Sequence, residues 1–511
     1  MGEDREELLA GLGALAAGES AADVIEGVAG ASGGGVAFVF PGQGGQWEGM
    51  AVELLDSAPV FAQRLGECGE ALAGFVDWRL EDVLRGADGA PGLERVDVVQ
   101  PALWAVMVAL AELWRACGVR PDVVVGHSQG EIAAACVAGG LSLEDGARVV
   151  ALRSRALLLL AGRGGMASVA LGVEELESRM GGPGEGVSVA AVNGPGSIVV
   201  SGDPGALDRL VERCVAVDVR ARRIAVDYAA HSARVEEIRG ELLEACAGIV
   251  PRSGDVPFCS SVTGGVLDTA ELDAGYWYRN LRETVRFEQA TRVLLGDGYR
   301  TFVEVSPHPV LTVGVEGTAD ALELDGVVAL GSLRRGEGGP RRFATGLAEA
   351  WVRGVPVDWE ALVGGPGVHP VRLPSYAFQR QRFWLEPVAG TGDVASVGQR
   401  AVDHPLLGAV VGLAEDRGWL FTGRLSLEAQ PWLADHAVMG VVLLPGTAFV
   451  ELALCAGRRA GCDVVEELTL QAPLVLDAGH PGAGVQVQVA VGEADESERR
   501  PVSIYSRPDG G

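Results

Sequence analysis

A glycine-flanked serine stands out among the residues whose types and spacing could do chemistry. Residues 122–131 read Asp-Val-Val-Val-Gly-His-Ser-Gln-Gly-Glu, and an apolar helical pattern follows over residues 132–141. A buried strand, a sharp turn and a helix in this order form a nucleophile elbow, which exposes a serine hydroxyl beside the N–H groups that begin the helix. The sequence therefore predicts that Ser128 is a nucleophile.

The same G-x-S-x-G pattern occurs a second time, at Ser32. Glycine makes up 74 of the 511 residues, so a chain of this composition is expected to contain the pattern about once by chance. Ser32 lies in a glycine run before a strand, and not between a strand and a helix. Its context indicates a flexible loop, and Ser128 alone keeps the functional interpretation.

A serine nucleophile needs a base, and the chain has seven histidines. His127 adjoins Ser128 in the elbow and is expected to point elsewhere. His231 follows a strand at the point where an inserted segment returns to the main domain, which is a cleft position, and His308 is the other histidine of this region. The rest lie beside prolines or in the last part of the chain: His369, His404, His436 and His480. Elimination favours His231 as the base, with a structural histidine as the alternative.

An arginine in the next helical segment could recognise an anionic substrate. Arg153 follows Ser128 by 25 residues, and a planar guanidinium can hold a carboxylate through two hydrogen bonds. A carboxylated acyl substrate would require such a group. A surface helix charge is the alternative interpretation for both Arg153 and Arg155.

Composition limits the class of protein. The length of 511 residues suggests two to four units, and 48% hydrophobic with 22% charged residues is typical of a globular chain. The net charge of −28 argues against a nucleic-acid partner, because phosphate binding needs clustered cations. Neither a signal peptide nor a membrane-spanning run is recognised. Eight scattered cysteines without C-x-x-C spacing favour reduced thiols in a cytoplasmic protein.

The order of strand-like and helical runs predicts an α/β fold. Its core is expected to be hydrolase-like around the elbow, with a βαββαβ insert of ferredoxin-like size at about residues 164–229. The α/β pattern resumes to about residue 335, and residues 388–400 form a linker rich in Gly, Ser and Val. A different domain begins after residue 401, with strand-like runs at 419–425, 464–476 and 484–491.

Four separated motifs, in order, resemble one protein family. They are Phe40-Pro41-Gly42-Gln43-Gly44 with Gln46, Gly126-His127-Ser128-Gln129-Gly130-Glu131, the arginine at 153, and Tyr228-Ala229-Ala230-His231. Together they resemble the acyltransferase domain of modular type I polyketide synthases, which is related to malonyl-CoA:acyl carrier protein transacylases. The resemblance covers about residues 32–335.

The resemblance implies a role for each matching residue. Ser128 would be the nucleophile and His231 the base, and Arg153 would hold the free carboxylate of the extender unit. The backbone N–H of Gln129, with Gln43, would form the oxyanion hole. In this family the histidine is expected to be oriented by backbone carbonyls, here near residues 306–310, and not by an aspartate. Neither a metal nor a bound cofactor is implied.

The resemblance also suggests the extender unit. The run from Arg95 to Gln100, Gln129 and Tyr228 resemble the pattern that selects methylmalonyl units, whereas malonyl-selecting relatives carry phenylalanine where this chain has Ala230. Methylmalonyl relatives usually carry serine there, so Ala230 is a departure that weakens the exclusion of larger branches. One methyl group in an apolar pocket contributes only about 1–3 kcal/mol. Malonyl and ethylmalonyl units therefore remain alternatives.

The flanking segments resemble the neighbours of such a domain. Residues 1–31 would be the remnant of the linker from a ketosynthase, and residues 336–400 a post-acyltransferase linker. Within that linker, the Pro- and aromatic-rich tract at 373–384 would pack on the ketosynthase region. Residues 401–511 resemble the start of a dehydratase with a double hotdog fold, in which His436 would be the base. Its partner aspartate belongs to the second hotdog, so we expect no dehydratase activity from this part alone.

The expected partners are an acyl carrier protein with its phosphopantetheine thiol, and a ketosynthase. Acyl-CoA is expected as substrate, and the parent synthase is expected to be homodimeric and to use neither nucleic acid nor a membrane. Two other functions stay open at this point. An α/β-hydrolase esterase would need a catalytic acid between Ser128 and the histidine but not Arg153, and a non-catalytic scaffold would need none of them.

Overall fold

The computed structural model describes residues 2, 4–22, 24–29, 34–363, 374–375, 393–480 and 482–509. The chain divides into two compact units, Met1–Pro370 and Val371–Gly511, and each is described by itself. Ser32 lies outside the described residues, and so does the aromatic tract at 373–384 except for Pro374 and Ser375.

The first unit alternates strands and helices. Its described strands are β1 (Val36–Phe40), β2 (Val123–Gly126), β3 (Gly165–Val169), β4 (Val187–Gly194), β5 (Ser197–Gly202), β6 (Ala221–Ile224), β7 (Phe258–Ser260), β8 (Gly265–Leu267), β9 (Thr301–Glu304) and β10 (Val328–Gly331). Its described helices are α1 (Arg5–Ala17), α2 (Val52–Ser57), α3 (Pro59–Leu72), α4 (Leu80–Arg85), α5 (Val96–Ala116), α6 (Gly130–Ala138), α7 (Leu143–Leu157), α8 (Val173–Met180), α9 (Pro204–Ala216), α10 (Arg239–Cys246), α11 (Ala274–Arg282), α12 (Phe287–Gly296), α13 (Thr312–Ala321), α14 (Pro340–Trp351) and α15 (Trp359–Val363).

A central sheet in the order β10-β9-β1-β2-β7-β8 organises this unit. Its strands run parallel from β10 to β7, and only β8 pairs antiparallel. Every residue of β1 is buried, as expected for a parallel strand covered on both faces. Phe40 pairs with Gly126, so β1 and β2 end side by side. The loops that follow these two strands therefore meet at one edge of the sheet, where α/β proteins bind ligands.

Helix α5 is the main apolar support behind the sheet. It is long and apolar enough to cross a membrane, but 89% of its most apolar segment is buried inside the unit. Trp104 and Trp114 on α5 are fully buried in the main core, and the ring of Trp114 meets Phe343 of α14 edge-on at 5.1 Å. Helix α14, which follows residue 335, therefore packs into this core.

A separate four-stranded sheet interrupts the α/β order between α7 and α10. Its elements follow the chain as β3-α8-β4-β5-α9-β6, and its sheet order β4-β5-β3-β6 is antiparallel throughout. The faces of this sheet and its helices bury an apolar cluster of their own, with Leu176 and Leu207 at its centre. After β6 the chain returns to the main domain at residues 225–231, as the sequence predicts.

The second unit is a curved antiparallel sheet with one long helix. Its described elements are β11 (Arg400–His404), β12 (Leu407–Gly412), β13 (Trp419–Leu425), β14 (Ala437–Val438), β15 (Val441–Leu443), α16 (Gly446–Arg459), β16 (Val475–Leu476), β17 (Val485–Val491) and β18 (Val502–Pro508). The main sheet has the order β11-β12-β13-β17-β18, and β14, β15 and β16 form a small second sheet. Leu452 and Ala456 of α16 pack into the core of this unit.

Candidate active site

Ser128 lies on the sharp turn between β2 and α6, where the sequence predicts it. Its φ angle of 53° is in the left-handed region, which a non-glycine residue seldom adopts. The flanking glycines are required by close packing: a Cβ atom on Gly130 would lie 2.0 Å from the carbonyl oxygen of Phe40, and one on Gly126 would lie 2.4 Å from the Cα atom of Glu131. The turn therefore fixes the serine hydroxyl at the sheet edge.

His231 is in hydrogen-bond contact with Ser128. Its Nε2 atom lies 2.8 Å from Ser128 Oγ, and its Nδ1 atom lies 2.8 Å from the carbonyl oxygen of Glu283. Because a carbonyl oxygen only accepts, Nδ1 carries the proton and Nε2 is left to accept the proton of the serine hydroxyl. Within the described residues, no carboxylate pairs with this imidazole.

The carbonyl that orients His231 differs from the expected one. The expectation of a carbonyl near residues 306–310 is wrong, because α11 ends at Arg282 and the extended backbone of Glu283 turns its carbonyl to the imidazole. The loop at 306–310 is held instead by the buried carboxylate of Glu304, which accepts the N–H groups of Val310, Leu311 and Thr312.

The imidazole of His231 is held neutral. Burial, and next the positive charge of Arg153, lower the pKa of His231 to about 3, although the bond to the Glu283 carbonyl acts in the opposite direction. A neutral imidazole beside a serine hydroxyl is ready to act as a general base at neutral pH. The other histidine of the elbow, His127, bonds Asn193 at 2.8 Å through Nε2 and does not contact the hydroxyl.

Arg153 is a buried cation beside Ser128. Only 1% of its surface is exposed, so the alternative of a surface charge is excluded for Arg153, whereas Arg155 is exposed. Its Nη1 atom donates to Gln100 Oε1 at 2.9 Å, and Nη2 lies 3.3 Å from both Ser128 Oγ and Asn280 Oδ1. Burial lowers the pKa of Arg153 to about 10, which keeps the guanidinium charged at neutral pH.

Arg153 forms no direct ion pair within the described residues. No carboxylate lies within ion-pair distance of it in the part of the chain that the structure describes, and its buried Nε atom has no hydrogen-bond partner there. Buried charges in proteins are normally paired, because desolvation without a partner is unfavourable. The arrangement is therefore suited to a bound carboxylate next to Ser128.

Two backbone donors face the same edge of the sheet. Among the described residues, the backbone N–H groups of Gln43 and Gln129 have no hydrogen-bond partner. The Gln43 side chain is fixed, since its Oε1 accepts from Tyr228 Oη at 2.8 Å and from Gln100 Nε2 at 3.2 Å. Free donors at the end of β1 and at the start of α6 can serve an oxyanion.

A cavity of about 110 Å³ opens onto these groups. Its polar side is formed by Ser128, His231 and Arg153 together with Gln43, Gln100 and Gln129, and most of the remaining wall is apolar. The apolar wall residues come from α7, the inserted sheet, the returning segment and α11: Leu157, Met166, Ala191, Val199, Ile224, Val226, Ala230 and Leu281. Tyr228 also lines the cavity, and burial raises its pKa to about 12, so its hydroxyl is a neutral donor.

The sequence analysis missed the residues that support Arg153. Gln100 and Glu131 belong to the quoted motifs but received no role, and Asn280 on α11 carries no motif of its own. Asn280 hydrogen-bonds to the backbone of Ser128, to Glu131 and to Arg153. A side chain that acts through such contacts gives no sequence signal, since its partners are far apart in the chain.

In the second unit, His436 lies between a short 3-10 helix and β14. Its side chain is exposed, and its Nδ1 atom lies 2.9 Å from the carbonyl oxygen of Leu443. The described residues of this unit place no carboxylate in hydrogen-bond contact with His436.

Comparison with known families gives a match for each unit. The family described as "Acyl transferase domain" matches residues 37–357, and that described as "Polyketide synthase dehydratase domain" matches residues 404–507. Polyketide synthase GfsB of Streptomyces halstedii is 57% identical over 512 residues, which cover 100% of this chain and 9% of that protein. The pikromycin polyketide synthase component PikAII of Streptomyces venezuelae is 54% identical over 513 residues, covering 100% of this chain and 13% of that protein. The chain thus spans about a tenth of the length of these relatives.

Solved structures agree with this assignment. The acyltransferase domain from module 8 of the salinomycin polyketide synthase is 61% identical, with a TM-score of 0.68, over 70% of this chain and 85% of that one. A loading acyltransferase from the avermectin modular polyketide synthase is 53% identical, with a TM-score of 0.60, over 62% of this chain and 100% of that one. The chain belongs to the acyltransferase domains of modular polyketide synthases, and the start of a polyketide synthase dehydratase domain follows in the same chain.

Proposed function

We propose that this acyltransferase works through an acyl ester on Ser128. His231 Nε2 takes the hydroxyl proton while Ser128 Oγ attacks the thioester carbonyl of an acyl-CoA. The backbone N–H groups of Gln43 and Gln129 stabilise the oxyanion, and the proton passes from His231 to the leaving thiolate of coenzyme A. A phosphopantetheine thiol then attacks the ester by the same steps in reverse, which returns the proton to Ser128 and releases the acyl carrier protein thioester.

The observation that carries the proposal is the uncompensated charge of Arg153. Its Nη2 atom lies 3.3 Å from Ser128 Oγ, and no internal carboxylate pairs with it in the described residues. A carboxylate on the acyl group would supply the missing partner through charge-assisted hydrogen bonds. The substrate is therefore a carboxylated acyl thioester, as in polyketide extender units, and a simple ester of the kind that a hydrolase cleaves has no use for this arginine.

Methylmalonyl is the extender unit that the cavity suits best. Ala230 lines the cavity with a single methyl group, which leaves space for an α-methyl branch where a phenylalanine would fill it. Tyr228 and Gln100 also line the cavity, and both hydrogen-bond to Gln43. Malonyl enters the same space without filling it, and ethylmalonyl is the other alternative because Ala230 weakens the exclusion of larger branches.

The partners follow from the proposed reaction. Acyl-CoA is the donor, and the acceptor is the phosphopantetheine thiol of an acyl carrier protein within the parent synthase or supplied separately. The relatives are polyketide synthases, which supports a ketosynthase as neighbour in a homodimeric parent. The acyltransferase steps above need no bound cofactor.

We further propose the finer architecture of both units. The elbow between β2 and α6 supports a hydrolase-like core, and the order β4-β5-β3-β6 supports a ferredoxin-like insert. A long helix packed on the antiparallel sheet of residues 401–511 supports a partial hotdog. The flanks, 1–31 and 336–400, are proposed linkers around an acyltransferase of residues 32–335.

The experiment is covalent labelling followed by intact mass measurement. Wild-type protein should acquire one acyl group from methylmalonyl-CoA, and Ser128→Ala should acquire none. Arg153→Ala should lose methylmalonyl labelling by roughly tenfold to a hundredfold, which is the contribution of hydrogen bonds to a charged group, while propionyl labelling is spared. Arg155→Ala on the same helix is the matched control. Equal loss of both labels in Arg153→Ala would refute the carboxylate site, and rapid hydrolysis of simple esters without thiol transfer would favour an esterase.

A further inference from the structure

Asn280 occupies the centre of a buried network behind the nucleophile. It lies on α11 and is 1% exposed. Its Nδ2 atom donates to Glu131 Oε2 at 2.7 Å and to the carbonyl oxygen of Ser128 at 3.1 Å. Its Oδ1 atom accepts from Arg153 Nη2 at 3.3 Å. One amide therefore touches the backbone of the nucleophile, a carboxylate and the carboxylate-binding arginine.

The orientation of this amide is fixed by its partners. A carboxylate and a carbonyl can only accept, so the NH₂ end must face Glu131 and Ser128, and the oxygen must face Arg153. A flipped amide would bring its oxygen against two acceptors and an NH₂ group against a guanidinium. Glu131 is anchored in turn by the hydroxyl of Tyr276 at 2.6 Å and the N–H of Ser261 at 2.5 Å.

The charges of Glu131 and Arg153 explain why an uncharged side chain is needed at position 280. Glu131 is fully buried, and Asn280 stands between it and Arg153. A carboxylate in direct contact with Arg153 would occupy the donors that a substrate carboxylate needs. An amide holds the guanidinium by one hydrogen bond and leaves its charge without a counter-ion.

We propose that Asn280, anchored by Glu131, is a positioning residue that sets the preference for carboxylated acyl groups by orienting Arg153 over Ser128 without neutralising it. This inference rests on the proposed function of Arg153 as the carboxylate site. The bond from Asn280 to the Ser128 carbonyl affects every acyl substrate alike. The ratio of methylmalonyl to propionyl labelling rates therefore isolates the effect that passes through Arg153.

The test measures this ratio in the full chain for Asn280→Leu and Asn280→Ala. Leucine is close in size, and alanine leaves room for water, so the two changes disturb packing differently. Both should lower the ratio by roughly tenfold, as expected when a buried charged group loses a hydrogen-bond partner. Thr318→Val on α13 is the matched control, because it removes a buried side-chain hydrogen bond, to the carbonyl oxygen of Gly314, that has no contact with Asn280, Glu131 or Arg153. It should lower the melting temperature while leaving the ratio unchanged.

Two outcomes would overturn the proposal. An unchanged ratio in folded Asn280→Leu or Asn280→Ala, with Arg153→Ala still losing methylmalonyl selectively, would show that Asn280 does not act through Arg153. Failure of both Asn280 variants to fold while Thr318→Val folds would assign Asn280 a structural role. A ratio unchanged in Arg153→Ala itself would instead refute the proposed carboxylate site, which separates the two failures.

Discussion

The protonation states of His231 and Arg153 are set by the same burial. Removing both groups from water lowers both pKa values, to about 3 for His231 and about 10 for Arg153. At neutral pH this leaves a neutral base next to a charged anion site, and each group needs that state for its proposed role. The positive charge of Arg153 also helps to keep His231 neutral.

This arrangement predicts an unusual pH dependence of acylation. Because the lowered pKa favours neutral His231, the base form should persist as the pH falls from about 8 to about 5, below the ordinary histidine pKa of about 6.5. We expect the rate of Ser128 labelling by methylmalonyl-CoA, measured by rapid quench and mass spectrometry, to show no loss with a midpoint near about 6.5. A midpoint there would mean that His231 titrates like an exposed histidine.

The same lowered pKa has a consequence for stability. The unfolded chain binds a proton at this histidine below about pH 6.5, whereas the folded chain does not, so this group makes folding less stable as the pH falls from there toward its folded pKa.

Ala230 allows a test of extender selection. Ala230→Phe should fill the space beside Ser128, so methylmalonyl labelling should fall by about tenfold or more relative to malonyl labelling. The measurement is the ratio of the two adducts on the same variant, which makes malonyl the internal control. If methylmalonyl keeps its share, Ala230 does not border the α-substituent.

The roles of single residues could be predicted where the neighbouring sequence or the residue composition points to them. Ser128 was recognisable from a strand, two glycines and a helix, and His231 from the scarcity of histidines. The roles of Asn280 and of the Glu283 carbonyl could not be predicted, because they depend on where α11 ends in space relative to α6. Backbone carbonyls in particular carry no residue-type signal.

At the level of elements, the site depends on β1 and β2 ending side by side. The elbow after β2 reaches this edge only because Gly130 lets α6 approach the carbonyl groups at the end of β1. The loop after β1 brings Gln43 to the same place. Two neighbouring parallel strands thus position both the nucleophile and the oxyanion donors.

Gly130→Ala should therefore disturb the site and the fold together. The added Cβ would lie 2.0 Å from the Phe40 carbonyl oxygen, and relief of such overlap typically costs about 1–3 kcal/mol or more. We expect a lower melting temperature and a loss of Ser128 labelling. Gly66→Ala on the exposed side of α3, where a Cβ meets nothing within 4 Å, is the matched control and should stabilise by about 0.5–1 kcal/mol. Equal effects of the two changes would contradict this account of the elbow.

Strand prediction succeeded where a run is paired along its length. The run at 419–425 is β13, which pairs with β12 on one side and along its full length with β17 on the other. The strand-like run at 464–476 forms a strand only at Val475–Leu476, which pairs with Val442 and Leu443. Apolar sequence favours a strand, but a neighbouring strand must be present to accept its hydrogen bonds.

In the whole molecule, the two units differ in the surroundings of their candidate functional residues. In the acyltransferase unit, Ser128, His231 and Arg153 line one cavity. The second unit offers His436 on an exposed turn, with its Nδ1 atom on the Leu443 carbonyl. The order of the units was predictable from motifs, whereas the packing of α14 against Trp114 was not, because it joins residues that are far apart in the chain.

We therefore expect no dehydration of a 3-hydroxyacyl thioester by this chain. A base without an acid partner cannot both remove the α proton and help the hydroxyl to leave. The measurement is product analysis by mass spectrometry on a preparation whose Ser128 labelling shows that it is active. Formation of an unsaturated thioester, lost again in His436→Ala, would contradict this expectation.

The most direct test of the central claim is competitive loading of Ser128. Wild-type protein would be mixed with equal concentrations of malonyl-, methylmalonyl- and ethylmalonyl-CoA, quenched before turnover is complete, and analysed by intact mass and peptide mapping. The account predicts one acyl group, mainly methylmalonyl, on the peptide that contains Ser128, and none in Ser128→Ala. An adduct on another residue, or a predominance of malonyl or ethylmalonyl on Ser128, would contradict it.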